Sequence, residues 1–238
     1  MRTLVVAIVA ACVLVSSPAR AAPFTLQDVM IVADSSGSLE SSGWDQVRDF
    51  INDLVVTHAE PGRRFGLVQF ASAAHVRWQF IDDQDPSTIT SFVDSSSFGH
   101  LGGRTSTDSA LTLAIGEFQA YSAVDAARSL ILITDGNPYP LDTENPCSSG
   151  NSTPNHLFAN DIEVQIVGVG NQWNPALIDC IVDDPSSQIH DITSFDATSI
   201  LPPLVVGAPA GLMAFPALGL VLLRGRTVRQ TRRHAQAS

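Results

Sequence analysis

Three short runs constrain the fold more than anything else in the chain. Val29-Met30-Ile31-Val32-Ala33, Leu130-Ile131-Leu132-Ile133 and Ile162 to Val169 are mostly apolar, and the third is rich in residues branched at the β-carbon (Val164, Ile166, Val167, Val169). Runs of this kind read as strands buried on both faces, the sort found in parallel sheets. Helical patterns lie between them. Trp44, Val47, Ile51, Leu54 and Val55 fall on one face, and Ser42 with Asp45 predicts a capping box at the start of that helix. Leu111, Ala114, Ile115 and Phe118 share a face of a helix that begins near Thr107. Phe65–Phe70 and Ala74–Phe80 read as a hairpin, Ser87–Val93 as a short helix, Asn174–Val182 as another, and Ile189–Ile192 as a last strand. Asn137–Pro154, rich in Pro, Asn, Ser and Gly, reads as a long loop. Alternation of strand and helix predicts an α/β fold: a doubly wound, mostly parallel central sheet flanked by helices on both faces, with right-handed crossovers.

Two of the apolar runs end on an aspartate. Asp34-Ser35-Ser36-Gly37-Ser38 follows the first, and Ile133-Thr134-Asp135-Gly136 closes the second. A third motif, Gly102-Gly103-Arg104-Thr105-Ser106-Thr107, stands between them in sequence. In open α/β sheets, ligands sit beyond the carboxyl ends of strands, so Asp34 and Asp135 are expected to reach one crevice. Ser36 and Ser38 occupy alternate positions, which points two hydroxyls to one side and Ser35 to the other. The paired glycines let a third loop approach and deliver Thr105. Two carboxylates and three hydroxyls, with no sulfur or imidazole, are the oxygen donors that a hard divalent cation prefers.

This trio resembles the metal-ion-dependent adhesion site of von Willebrand factor type A domains, and the resemblance extends over most of the chain. Gly66–Phe70, Leu130–Gly136 and Ile162–Gly170 match that family's strands in order, and Trp173–Phe195 matches its closing segment. The resemblance implies a Rossmann-like type A fold. It makes Asp34, Ser36, Ser38, Thr105 and Asp135 the metal residues, with Thr107 the weaker choice for the threonine. The implied cofactor is Mg2+, with Mn2+ or Ca2+ as alternatives. The implied partner is a protein or extracellular-matrix ligand offering an acidic residue, bound by a monomeric adhesion domain without enzymatic activity. A structural cell-envelope protein whose metal only stabilises the fold is the rival. The loop after Asp135 departs from the family pattern.

A hydrolase is a distant third. Asp34-Ser35 after the first strand would offer a serine nucleophile needing a base. The natural base, His190, has Ser187 rather than an aspartate three residues before it, and no Gly-x-Ser-x-Gly elbow occurs. The histidines show no ligand spacing, and His58, His75, His100, His156 and His190 read as surface or loop residues.

Charge and termini set the setting. All 24 acidic residues fall between Asp28 and Asp196, against six arginines there: Arg48, Arg63, Arg64, Arg77, Arg104 and Arg128. Such a surface excludes nucleic acid as a partner. Residues 1–21 read as a signal peptide, with Arg2, the apolar stretch Leu4–Val15 and Ala19-Arg20-Ala21 as a cleavage site. Export would leave two cysteines, Cys147 and Cys180, an even count that predicts a disulfide. The domain is expected over 22–199, with a Pro linker at 200–203. Residues 204–223 carry no charge and precede Arg224, Arg226, Arg229, Arg232 and Arg233. They read as a transmembrane segment with a basic cytoplasmic tail at 224–238, or as a bacterial C-terminal sorting signal. The expected location is the cell envelope or surface, anchored or released after processing.

Overall fold

A computed structural model describes residues 26–170, 173–193, 197, 200 and 201, with the side chains of residues 186 and 187 excepted. The signal peptide, the segment at 204–223 and the basic tail expected from the sequence lie outside the described residues. Among the described residues, no helix is long and apolar enough to cross a membrane.

The apolar runs form the middle of a six-stranded sheet. Its strands are β1 (Gln27–Asp34), β2 (Arg63–Phe70), β3 (Ala74–Trp78), β4 (Ala127–Thr134), β5 (Ile162–Gly168) and β6 (Ile189–Asp191), in the order β3-β2-β1-β4-β5-β6. Every pairing is parallel except β2 with β3, the expected hairpin. Successive residues of a strand face opposite sides of a sheet, and β1 shows it. Val29, Ile31 and Ala33 pack with α1 (Glu40–His58) and α2 (Pro86–Val93), through Trp44, Val47, Ile51, Leu54, Ile89 and Val93. Met30 and Val32 pack on the other side with α3 (Thr107–Tyr121), through Ala110, Leu111, Ala114, Ile115 and Phe118. The continuous hydrophobicity of β1 and β4 is thus the signature of two cores sharing one sheet. The α/β architecture predicted from the alternating pattern is the one found.

Several local expectations need correction. The helix α1 starts at Glu40, two residues before the expected capping serine, and no side chain caps it. A 3₁₀ turn over Gly37–Leu39 runs straight into it, which puts Ser42 inside the first turn. Asn174–Val182 is not one helix but two 3₁₀ turns, Pro175–Leu177 and Asp179–Ile181, separated at Ile178, whose φ of −136° and ψ of 4° are neither helical nor extended. The long loop ends in a helix that composition hid, α4 (Thr153–Ala159), with a proline in its first turn. A four-residue helix, α5 (Pro185–Gln188), precedes β6.

Two histidines also differ from expectation. His58 is buried, because it continues the apolar face of α1 one turn beyond Leu54, and its Nε2 lies 2.7 Å from the Ala197 carbonyl oxygen. His190 lies on β6, part-buried, with Nε2 2.9 Å from Gln165 Oε1.

Candidate metal centre

The carboxyl edge of β1 and β4 brings the three motifs together. Asp34 is the last residue of β1 and is fully buried. Its Oδ1 accepts the Ser36 backbone N–H at 2.8 Å, which curls the chain back at once, and its Oδ2 accepts the Thr134 hydroxyl at 2.7 Å. Ser36 and Ser38 then present their hydroxyls 3.0 Å apart. Ser35 turns the other way, as the alternation predicts: its Oγ accepts from Leu101 N–H and from Gln69 Nε2.

The glycine loop is laced onto this turn from both sides. Gly37 N–H donates to Gly103 O at 3.0 Å, and Gly102 N–H donates to Ser35 O at 2.9 Å. Gly103 has a φ of +94°, and a Cβ there would come within 2.5 Å of Ser72 Oγ, so glycine suits the position on both counts. Arg104 N–H donates to that same Ser72 Oγ, and Ser106 N–H donates to Ala71 O, which anchors the loop to the end of β2. Thr105 is delivered almost fully buried, and it lines one groove together with Ser38. Thr107 is the first residue of α3, and its hydroxyl is buried with no partner.

Asp135 follows β4 and is 4 % exposed. Its Oδ1 accepts Asn137 N–H, and its backbone carbonyl accepts from Asn174 N–H. It lines a second cavity with Ser38, on the α1 side of the first. Burial, helped by the nearby charge of Asp135, pushes Asp34 up to about 6 from the ordinary carboxylate value. Neither aspartate has a cationic side chain within ion-pair distance among the described residues. Buried charges are ordinarily paired or bound to metal. Two carboxylates without a cation, beside three hydroxyls, therefore fit a divalent metal. No group of three or more His, Cys, Asp or Glu side chains is arranged for a metal among the described residues, so a centre here depends on hydroxyl donors.

The loop beyond Asp135 is tied down rather than loose. Tyr139 N–H donates to Thr105 O in an isolated antiparallel bridge. Glu144 accepts from Ser109 N–H and Oγ with its carboxylate and from Asp108 N–H with its carbonyl. Cys147 is disulfide-bonded to Cys180, with Cα atoms 5.6 Å apart.

Sequence reasoning missed the struts behind the site. Gln69 is fully buried near the end of β2; it donates to Ser35 Oγ and Gly99 O and accepts from Arg77 Nε. The signal was available: a glutamine inside an otherwise apolar strand needs partners. His100 reaches the same turn, with Nε2 2.9 Å from Ser36 O. Ser35 and His190, the pair a hydrolase would need, stand on or beside strands separated by β4 and β5.

The family model for the von Willebrand factor type A domain matches residues 28–202. The chain belongs to that family. Among curated relatives of this type A domain, mouse integrin alpha-X is 33% identical over 113 residues, which is 46% of this chain and 10% of the integrin. The chain spans only 5% to 16% of the lengths of the first curated relatives it matches. Among solved structures, the manganese-loaded TRAP protein of Plasmodium vivax superposes with a TM-score of 0.61 at 19% identity, covering 77% of this chain and 74% of that one. The proximal thread matrix protein 1 of the mussel byssus, solved with a zinc-occupied MIDAS motif, gives 0.59 at 18% identity, covering 71% and 41%. At these identities the structures share the type A fold. Both of those proteins were solved with a divalent metal, manganese in the first and zinc in the second.

Proposed function

We propose that this chain is an exported adhesion or protein-binding domain that captures an acidic group of its partner through a divalent cation, Mg2+ first, held by Asp34, Ser36, Ser38, Thr105 and Asp135. One observation carries the proposal: two buried carboxylates without a cationic partner sit at the edge where the serine turn and the Thr105 loop are laced together. Some of these five groups would reach the metal through water, so the direct donors supply only part of an octahedral shell. Water and one outside oxygen complete it, and a carboxylate from a protein or matrix ligand is the natural outside donor. Metal-containing relatives of the same fold support a divalent cation here. Residues 1–21 as a signal peptide would carry the domain out of the cytoplasm. Residues 204–223 would anchor it or direct its processing at the envelope.

The test is titration of the metal-stripped protein with magnesium by calorimetry. Wild type binds, whereas Asp34→Ala and Asp135→Ala lose binding and keep the far-ultraviolet dichroism of the fold. Unchanged affinity in both variants would remove the assignment. Partner capture from surface extracts is expected to vanish in chelator and return with magnesium or manganese.

A further inference from the structure

The groove beside the candidate metal centre has a chemistry that the metal does not explain. It holds about 470 Å³ and is lined by Ser38, Thr105, Arg104, Tyr139, Leu141 and Leu177, among others. Two of its walls belong to the loop after β4. That loop is fixed by the Tyr139–Thr105 bridge, the Glu144 contacts and the disulfide, yet it leaves Tyr139 56% and Leu141 52% exposed. A mobile loop can shed exposed apolar side chains by moving. A loop pinned this firmly keeps them on display, which is the preorganisation a binding surface uses.

Arg104 supplies the charge. The guanidiniums of Arg48, Arg63 and Arg64 reach carboxylates, that of Arg77 reaches Gln69 Oε1, and that of Arg128 reaches Ser122 Oγ and Asn160 O. The Arg104 guanidinium, by contrast, hydrogen-bonds to no side chain or carbonyl among the described residues and lies over the Tyr139 ring, 5.7 Å from its centroid. It is held there from both ends. Its backbone is bonded to Ser72, and the ring beneath it is attached to the next residue, Thr105, by the isolated bridge. A stacked guanidinium keeps its in-plane donors free, and those donors match a carboxylate in bidentate fashion. In a domain with 24 acidic residues and six arginines, the guanidinium with no hydrogen-bond partner among the described residues borders the proposed metal.

From this we infer that the preferred ligand is an acidic peptide segment with two carboxylates. One completes the metal shell. The second, within a few residues of it, pairs with Arg104, while an intervening apolar side chain lies on Tyr139 and Leu141. The inference rests on the metal reading above and narrows it from any acidic residue to a paired-acid motif.

The experiment uses the disulfide-intact full chain and an array of immobilised glycine-flanked hexapeptides. Each carries one Glu, a Glu and an Asp separated by zero to three residues, or a Glu and a Lys at the same separations. In magnesium, wild-type protein is expected to retain paired-acid peptides at least tenfold better than single-acid ones, best with Leu between the acids. Arg104→Gln should bring the two classes level, and Tyr139→Ala should reduce the leucine preference. Equal retention of both classes by wild type, or a paired-acid preference that survives Arg104→Gln, overturns the inference. So does a metal-loaded protein that retains no peptide. Magnesium titration of the same samples separates the two failures: no metal binding by wild type, or retention unchanged by chelator, defeats the metal reading itself.

Discussion

Asp34 has no exposed surface and shares its edge of the sheet with a second aspartate that is nearly buried. Its folded-state value of about 6 lies above the ordinary 3.8, because burial and the Asp135 charge both disfavour the ionised form. The sign follows from linkage. In the metal-free protein this carboxyl binds its proton more tightly folded than unfolded. Its contribution is fully present below pH 3.8 and is lost as pH rises through about 6, an effect of up to about 3 kcal/mol. Melting curves on metal-stripped protein between pH 4 and pH 7 are therefore expected to show wild type losing stability relative to Asp34→Asn as pH rises. Saturating magnesium should close the gap by favouring the ionised form. A pH-independent difference in stripped protein would mean that the buried carboxyl is not the source. Gln69 offers a second check. Gln69→Leu keeps the volume but leaves Ser35, Gly99 and Arg77 without their shared partner. The loss should be about 1–3 kcal/mol in denaturant titrations, together with weaker magnesium binding, because the Ser35 turn and the Leu101 loop lose their strut. Full metal affinity in that variant would make Gln69 a purely structural residue.

Among the elements, the strands were the most legible. Val29–Ala33 and Leu130–Ile133 are unbroken apolar runs because β1 and β4 are flanked by strands and covered on both faces, so continuous hydrophobicity identified them. The order Asp34, Thr105, Asp135 was legible as well, since each sits where an apolar run ends or a helix begins. What escaped were features set by contacts distant in sequence. The α1 start is dictated by the serine turn rather than by a capping side chain. Nothing local distinguishes Asn174–Val182 from a helix until the disulfide partner and Ile178 are placed. Tyr139 belongs to the groove only because its backbone pairs with Thr105. The Cys147–Cys180 bond closes a loop of 33 residues. Replacing both cysteines by serine is expected to cost about 3–4 kcal/mol in the chain-entropy account, read from denaturant midpoints. The larger loss should be in the groove, where paired-acid peptides bind less well while magnesium affinity holds. Equal stability and equal peptide binding of the oxidised and serine forms would show that the tether acts on neither.

At the scale of the whole molecule, an acidic domain is proposed to recognise an acidic partner. The long-range field opposes encounter, and the attraction is confined to the cation and Arg104. Screening should therefore act in reverse of the usual steered association. Raising sodium chloride from about 20 to about 200 mM, across which the Debye length shortens to below about 10 Å, should increase the association rate with an acidic peptide at constant magnesium. A rate that falls with salt would mean that attraction to the cation and Arg104, not the net charge of the domain, governs the encounter.

The strand order has a further consequence, for biogenesis. The first strand of the domain is also a central one, and its neighbour β4 arrives late: Asp34 bonds to Thr134 across 100 residues of chain. An emerging polypeptide cannot complete this edge until β4 has been made, and β1 stays open on that flank until then. Long-range pairing of this sort folds slowly. A chain passed through a membrane pore as it is made would therefore remain threadable for most of its length. If residues 1–21 direct export as proposed, the two aspartates would first meet on the far side.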